Sequence, residues 1–437
     1  MNLSGPGGLR SNESLDGGRG LSPDPGMNSA LGSRRRFLQF LAASPLMAGV
    51  ADALAQEQRL PDPSVWGTRT LDKLIASPRE AINVFDFEPV MREKVPPAHF
   101  GYMATGIDDE VTLRANREGF LKFQLRPRRL IDVETLDLRM ELFGQTYPSP
   151  IVLAPTASNR AFHEDGELAV ARAAQKGDHL QVLSTVATIS IEQAMEARGR
   201  PVWFQLYPTN RWEVAAGLAR RAEKAGAETI VVTTDMIARQ NWETLVRLLR
   251  TDTRNCGSCH GLSLASYVKR KPNFDGLDIS GITSTGATNL TWDFIKRLRD
   301  TVKTRLVLKG LMTAEDAVLA VDNGLDAIVV SNHGGRADDS GRSTIDALPE
   351  ILEAVDGRIP VLVDSGFRRG TDIVKALALG ARAVCIGRPY LWGLGAFGQP
   401  GVERVLDLLH QETRAAMMQV GAPSLKQLVP AMVRRAS

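Results

Sequence analysis

The chain has 437 residues, 43% hydrophobic and 24% charged, with 53 basic side chains against 50 acidic ones. A formal charge of +3 is too balanced for nucleic acid or an anionic membrane as the main partner, and the composition is that of a globular protein with one large domain or two. Only three cysteines, Cys256, Cys259 and Cys385, are present, so no disulfide framework holds the fold.

Residues 1–32, rich in Gly, Ser, Asn and Pro, read as disordered. Ser33-Arg34-Arg35-Arg36-Phe37-Leu38-Gln39 then leads into an apolar stretch through Val50 and a small-residue site, Ala53-Leu54-Ala55. A basic head, a short apolar core and A-x-A read as a signal peptide rather than a membrane span, with cleavage after Ala55. The arginines ahead of Phe37-Leu38 fit the twin-arginine signal, which exports folded and commonly cofactor-loaded proteins. A periplasmic location is the expectation. No other segment is apolar for long enough to span a bilayer.

Residues 56–150 form a lead-in expected to pack on the main domain. It holds a short helix at Leu71–Ile75, a strand-like arm at Val84–Phe87, and a helical run through Leu113, Asn116 and Phe120. From Ile151 the pattern becomes regular. Strands are predicted at 151–154, 180–183, 202–206, 229–233, 305–308, 327–330, 361–363 and 383–386. Between them lie helix-period stretches such as 167–175, 212–225, 314–323, 371–379 and 402–418. That alternation predicts a (β/α)₈ TIM barrel over residues 151–437. A doubly wound sheet is the alternative, opposed by the lack of a G-x-G-x-x-G after a strand. One long insertion, residues 236–291 after the fourth strand, breaks the rhythm and reads as a functional or mobile loop.

The ends of the predicted strands are polar. Ala327–Val330 runs into Ser331-Asn332-His333-Gly334-Gly335-Arg336, delivering a proton-moving histidine and a carboxylate-binding guanidinium at the edge where such folds bind ligands. Asp235 is placed to orient His333. Lys309 reads either as a Schiff-base amine or as a fixed positive charge. Gly366, Gly387 and Arg388, after the last two strands, read as a phosphate cradle.

Leu125-Arg-Pro-Arg128, Ala154-Pro-Thr-Ala157, Phe204-Gln-Leu-Tyr207, Lys309-Gly310, Ser331 to Arg336, Arg368-Arg-Gly-Thr-Asp372 and Gly387-Arg-Pro389 stand in order. With these, residues from about 70 to 430 resemble the FMN-dependent 2-hydroxy-acid oxidases and dehydrogenases. The resemblance implies that His333 takes the substrate proton with Asp235 behind it. Arg336 would hold the carboxylate, Tyr207 the hydroxyl, and Lys309 the flavin ring. Pro155, Thr156, Ala157, Ser184, Gln205, Thr233 and Ser331 would contact flavin and ribityl. Asp364, Gly366, Arg368, Gly387 and Arg388 would contact ribityl and phosphate. It also implies a homotetramer and FMN as cofactor.

Two departures stand out. Counted back from Gly106, the family's carboxylate-binding tyrosine falls on Phe100, and its second arginine, counted from Asp235, falls on Trp242, with Arg239 nearby. Phe100 and Trp242 are therefore expected to line the substrate pocket and to favour an acid larger or more apolar than glycolate. Asp364-Ser365-Gly366 is a milder change. Cys256-Gly-Ser-Cys259-His260 fits haem c attachment, a disulfide or a metal site, all of which stay open. His163, His179 and His410 read as surface or helix-face residues, and Cys385 as buried. The leading expectation is an L-2-hydroxy-acid dehydrogenase using quinone or cytochrome c. The alternatives are an oxygen-using oxidase, a lyase or isomerase built on a Lys309 Schiff base, and an electron-transfer protein with altered substrate binding.

Overall fold

The computed structural model describes residues 74–237, 241–254 and 264–436. The expected disordered start, signal peptide and cleavage site lie outside the described residues. So do Arg239, Cys256, Cys259 and His260.

Three helices lead in: α1 (Phe87–Lys94), α2 (Pro97–Ala104) and α3 (Val111–Glu118). The strand-like arm expected at Val84–Phe87 is instead a 3₁₀ turn, Val84–Asp86, running into α1. Asn83 accepts from the Phe85 N–H and Asp86 accepts from the Asn83 N–H. This reciprocal cap starts a helix despite the β-branched and aromatic side chains that follow.

β1 (Phe123–Leu125) pairs with the carboxyl-terminal β12 (Val433–Arg435). A hairpin, β2 (Met140–Leu142) and β3 (Gln145–Tyr147), then precedes the barrel. The barrel strands are β4 (Ile151–Leu153), β5 (Val182–Ser184), β6 (Trp203–Leu206), β7 (Thr229–Thr233), β8 (Arg305–Leu311), β9 (Ala327–Val330), β10 (Val361–Val363) and β11 (Ala383–Ile386). They form one sheet in the order β4-β11-β10-β9-β8-β7-β6-β5. The Leu153 N–H donates to Leu180 O, and a parallel bridge from Leu153 to Gln181 brings the two ends together. The predicted TIM barrel is present. Parallel strands covered on both faces have no wet side, which is why runs such as Ile151–Leu153, Ala327–Val330 and Val361–Val363 are continuously apolar.

α4 (Glu167–Lys176), α5 (Ile191–Arg198) and α6 (Trp212–Lys224) follow β4, β5 and β6. The insertion after β7 carries α7 (Glu243–Leu249) and α8 (Leu264–Lys269) before α9 (Trp292–Thr301). α10 (Ala314–Asp322), α11 (Thr344–Val355) and α12 (Gly370–Leu379) complete the regular units. The last helix, α13, runs from Arg388 to Val420 with a break at Phe397–Gly398, well upstream of the start at Val402 that the periodicity predicts. Glycines hide its first half from propensity, yet they serve packing. A side chain at Gly395 would stand 2.5 Å from Met91 of α1, and one at Gly393 would meet Gly401 O at 2.5 Å. No helix among the described residues is long and apolar enough to cross a membrane.

Inside the ring, Val152, Val182, Trp203, Val231, Val307, Val329, Leu362 and Cys385 pack against Met140, Leu142 and Tyr147 of the hairpin. The hairpin plugs the amino-terminal end of the strands and leaves polar residues at the opposite mouth. Leu142→Ala should cost about 2–5 kcal/mol, as buried leucine truncations do. A urea midpoint unchanged from the wild type would show that the plug does not support the barrel.

Candidate active site

Beyond β9 the backbone turns through three consecutive left-handed residues, His333 (φ 58°), Gly334 (φ 72°) and Gly335 (φ 75°). Glycine adopts this freely, whereas for histidine it costs roughly 1–2 kcal/mol. A Cβ on Gly335 would lie 2.6 Å from the Leu113 backbone, so α3 packs directly on the coil. The coil turns both His333 and Arg336 into one cavity of about 700 Å³ at the carboxyl ends of the strands.

His333 Nδ1 lies 2.9 Å from Asp235 Oδ1, and its Nε2 lies 3.4 Å from the Tyr207 hydroxyl. A carboxylate accepting from Nδ1–H leaves Nε2 free to take a proton. Asp235 fits there because its neighbour Gly310 has no side chain: a Cβ at that left-handed position would stand 2.8 Å from Asp235 Cβ. Burial lowers the His333 pKa and outweighs the nearby Asp235 carboxylate, so the ring is neutral at neutral pH. Burial opposes ionisation of Asp235, but His333 and Lys309 prevail and hold its carboxyl below the usual range. Burial raises the Tyr207 pKa, so its hydroxyl keeps its proton.

Arg336 Nη1 donates to Tyr102 O (2.6 Å) and Thr105 O (3.1 Å). Its guanidinium lies between two aromatic rings, 5.0 Å from Tyr102 and 4.6 Å from Trp242. No Asp or Glu among the described residues pairs with it; the groups that favour its charge are the Tyr102 and Tyr207 hydroxyls. A half-buried cation placed this way calls for an anion from outside.

Lys309 Nζ donates to Ser331 Oγ (2.8 Å) and lies 3.3 Å from Asp364 Oδ2. Burial works against its charge, yet Asp364 and Asp235 raise its pKa. A lysine held protonated is a fixed charge and a poor nucleophile, which counts against the Schiff-base alternative. Pro155, Thr156 and Ala157 line the cavity, as do Asp364, Gly366, Arg368, Gly387 and Arg388. Ser184, Gln205 and Thr233 stand apart from that lining, buried and linked in a row: Ser184 Oγ donates to Gln205 Oε1 (3.1 Å) and Gln205 Nε2 to Thr233 Oγ1 (2.9 Å). Ser331 is likewise buried, accepting from Lys309 and from the His333 N–H.

Arg368, also on the cavity wall, is buried against Trp392, its Nε without a partner among the described residues. Burial, and then the charges of Arg117 and Arg388, push its pKa well below the usual arginine value, with Asp372 the carboxylate that opposes them. Asp372 is already bound to Arg117 at 2.7 Å. Gly366 has φ 86°, and a Cβ there would fall 2.1 Å from Asn116 O.

Phe100 does not line the cavity. It is 4% exposed and lies beneath Arg92, whose guanidinium is 4.6 Å from its ring. Tyr102, two residues on and about 200° round α2, faces the cavity instead. Counting from Gly106 chose the wrong side of the helix, whereas helical phase separates the two residues. Trp242 does line the cavity, edge-on to Tyr102 with ring centroids 5.9 Å apart. His179 is not a surface residue: it is buried, and burial takes its pKa down to about 4. Tyr267 and the Thr283–Gly286 stretch also line the cavity, and no local pattern in the sequence marks them.

Residues 91–435 match the FMN-dependent dehydrogenase family. The chain is 40% identical over 354 residues to the L-lactate oxidase of Lysinibacillus sphaericus, covering 78% of this chain and 90% of that one. Glycolate oxidase 3 of Arabidopsis thaliana is 38% identical over 362 residues, covering 80% and 95%. The structure of a soluble mutant of the membrane-associated (S)-mandelate dehydrogenase from Pseudomonas putida superposes with a TM-score of 0.74 at 34% identity, covering 82% of this chain and all of that one. The chain belongs to the FMN-dependent 2-hydroxy-acid oxidase and dehydrogenase family.

Members of this family use FMN, and the residues present fit it. Among the described residues the guanidinium groups of Arg117 and Arg388 act on that of Arg368, with Asp372 the opposing carboxylate, a concentration of positive charge that suits a phosphate dianion. The absent side chain at Gly387, where a Cβ would have only Thr156 Cγ2 nearby at 3.6 Å, leaves room for a phosphate to approach the backbone, while Gly366 lets the Asn116 backbone of α3 pack close. Bound there, FMN supplies the acceptor for the hydride of a 2-hydroxy acid.

Arg368→Met should retain its fold but bind FMN on the order of tenfold to a hundredfold more weakly, the loss of a charged hydrogen bond. Flavin titration of the apoprotein measures it, and wild-type affinity would remove Arg368 from the phosphate site. Because His333 must be neutral to accept a proton and its pKa lies below about 6.5, kcat/KM should hold through neutral pH and fall only as pH drops through that lowered value. Asp235→Asn removes the charge that raises the His333 pKa. Its acid limb should shift to lower pH, with kcat reduced by about 10² or more. An acid limb that moves upward would contradict the assignment.

Proposed function

We propose that the protein is an exported FMN-dependent dehydrogenase that oxidises an L-2-hydroxy acid, lactate or a larger one, to the 2-oxo acid and passes electrons to quinone or cytochrome c. The reading rests on His333, Tyr207 and Arg336 facing one cavity, a neutral base beside a protonated hydroxyl and a cation with no carboxylate partner among the described residues. Arg336 holds the substrate carboxylate. That places the substrate hydroxyl between His333 Nε2 and Tyr207. His333 Nε2 takes the hydroxyl proton, and Asp235 stabilises the imidazolium that forms. The Tyr207 O–H donates to the same oxygen as it becomes a carbonyl. Lys309 remains a fixed charge at the cavity floor. One proton goes to His333 Nε2, and FMN, when bound, would accept the hydride and its electron pair from C2.

Relatives named for L-lactate and (S)-2-hydroxy acids support the L hand. The arginines at Arg34-Arg35 and the site at Ala53-Leu54-Ala55 support export, and an exported flavoenzyme has the respiratory chain within reach. The oxidase relatives favour oxygen as the competing acceptor.

Anaerobic mixing of the holoenzyme with L- and D-2-hydroxy acids should bleach the flavin with the L enantiomer alone. The reduced enzyme, mixed separately with oxygen, a soluble quinone and cytochrome c, should reoxidise fastest with one of the last two. Equal or faster reoxidation by oxygen would make it an oxidase. Failure of every 2-hydroxy acid to bleach the flavin would sink the functional reading.

A further inference from the structure

The Lys309–Asp364 pair lines the cavity with both side chains buried. Two serines tie it to the coil that carries His333. Lys309 Nζ donates to Ser331 Oγ (2.8 Å), which also accepts from the His333 N–H (3.1 Å). On the other side, Ser365 Oγ donates to Asp364 Oδ1 (2.7 Å) and accepts from the Gly334 N–H (2.9 Å). Two consecutive amides of the coil therefore end on hydroxyls bonded to opposite members of one ion pair.

The backbone of Asp364 is fixed. Its N–H donates to Val330 O (3.0 Å), and its carbonyl accepts from Thr344 Oγ1 (2.6 Å). Only the side chain can respond to its surroundings, and its two oxygens are divided. Oδ1 is taken by Ser365, while Oδ2 stands 3.3 Å from Lys309 Nζ. A close charged hydrogen bond would be shorter, about 2.7–2.9 Å. The shorter contact of Lys309 is instead to the neutral hydroxyl of Ser331. Attraction between charges weakens with distance, so a carboxylate held back in this way compensates the lysine only in part.

Ser365 takes its place against a backbone preference. Its φ is 74°, a left-handed conformation that glycine would adopt freely and serine does not. The hydroxyl is what a glycine there would lack. Without it Asp364 Oδ1 would lose its donor, and both carboxylate oxygens would turn to Lys309.

We propose that Ser365 is a positioning residue for the Lys309 charge. Its hydroxyl keeps one oxygen of Asp364 from Lys309, so the cavity favours a ligand that gains negative charge beside that lysine. Bound FMN is such a ligand, since taking up two electrons and one proton leaves it an anion. The proposal goes beyond the 2-hydroxy-acid reading and does not depend on which substrate is oxidised.

The test compares the FMN-loaded wild type with Ser365→Gly and Ser365→Ala. Both variants lack the hydroxyl, but glycine relieves the left-handed backbone and alanine keeps it strained. Each protein is reduced stepwise with dithionite beside a reference dye, with no hydroxy acid present. Flavin midpoint potentials are read from the spectra and thermal midpoints from the same samples. Both variants should favour reduced over oxidised flavin about tenfold less than wild type does, as loss of a charged hydrogen bond would give. For a two-electron couple that is a potential lower by about 30 mV. The shift should be alike in the two variants although Ser365→Gly unfolds at the higher temperature. An unchanged or raised potential in both would overturn the proposal. So would a potential lowered in Ser365→Ala alone, in step with its lost stability, which would leave Ser365 a structural brace. Should Ser365→Ala fail to fold, Ser365→Gly carries the test by itself. The outcome is separable from the functional reading. A lowered potential in a protein that no hydroxy acid reduces keeps the role of Ser365 and removes the function, while hydroxy-acid oxidation with unchanged potentials does the reverse.

Discussion

Unbalanced positive charge at one mouth of the barrel is the constraint on which the rest depends. Among the described residues Lys309, Arg336, Arg368 and Arg388 line the cavity and Arg117 stands close to Arg368, with Asp235, Asp364 and Asp372 as the nearby carboxylates. Withdrawing such charges from water is costly unless counter-charges arrive. The surplus falls at two places, around Arg368 and at Arg336, with the His333–Asp235 pair between them. The cavity is built to receive two anions, and anions that bind only the folded chain stabilise it by mass action.

The backbone holds this arrangement under local strain. His333 and Ser365 both take left-handed backbone that glycine would adopt more easily. Each is compensated by hydrogen bonds: the His333 N–H donates to Ser331 Oγ, and Ser365 Oγ accepts from the Gly334 N–H while donating to Asp364. The loops after β9 and β10 thereby brace each other. Strain of this kind persists where surrounding contacts over-determine the position.

How much of this the sequence discloses depends on whether the information is local. The barrel strands are legible because complete burial of a parallel sheet leaves continuous apolar runs such as Ala327–Val330. The first half of α13 is not, because its glycines lower helix propensity while permitting contact with α1. His333, Arg336 and Lys309 can be read from their strand ends. Tyr102 and the setting of Trp242 cannot, since they reach the cavity only once the lead-in helices and the insertion have docked, nor can the contact of Arg117 with Asp372, which needs α3 packed on the barrel. Phe100 shows the difference: its neighbourhood in the chain resembles that of Tyr102, but the phase of α2 turns it into the core.

The most direct test of the two-anion account is a crystal structure of the FMN complex with a bound 2-oxo acid. The account predicts the FMN phosphate within hydrogen-bonding distance of Arg368, the carboxylate of the acid on Arg336, and its C2 oxygen facing His333 Nε2 and Tyr207. A carboxylate seated away from Arg336, or a C2 oxygen turned away from His333, would contradict it.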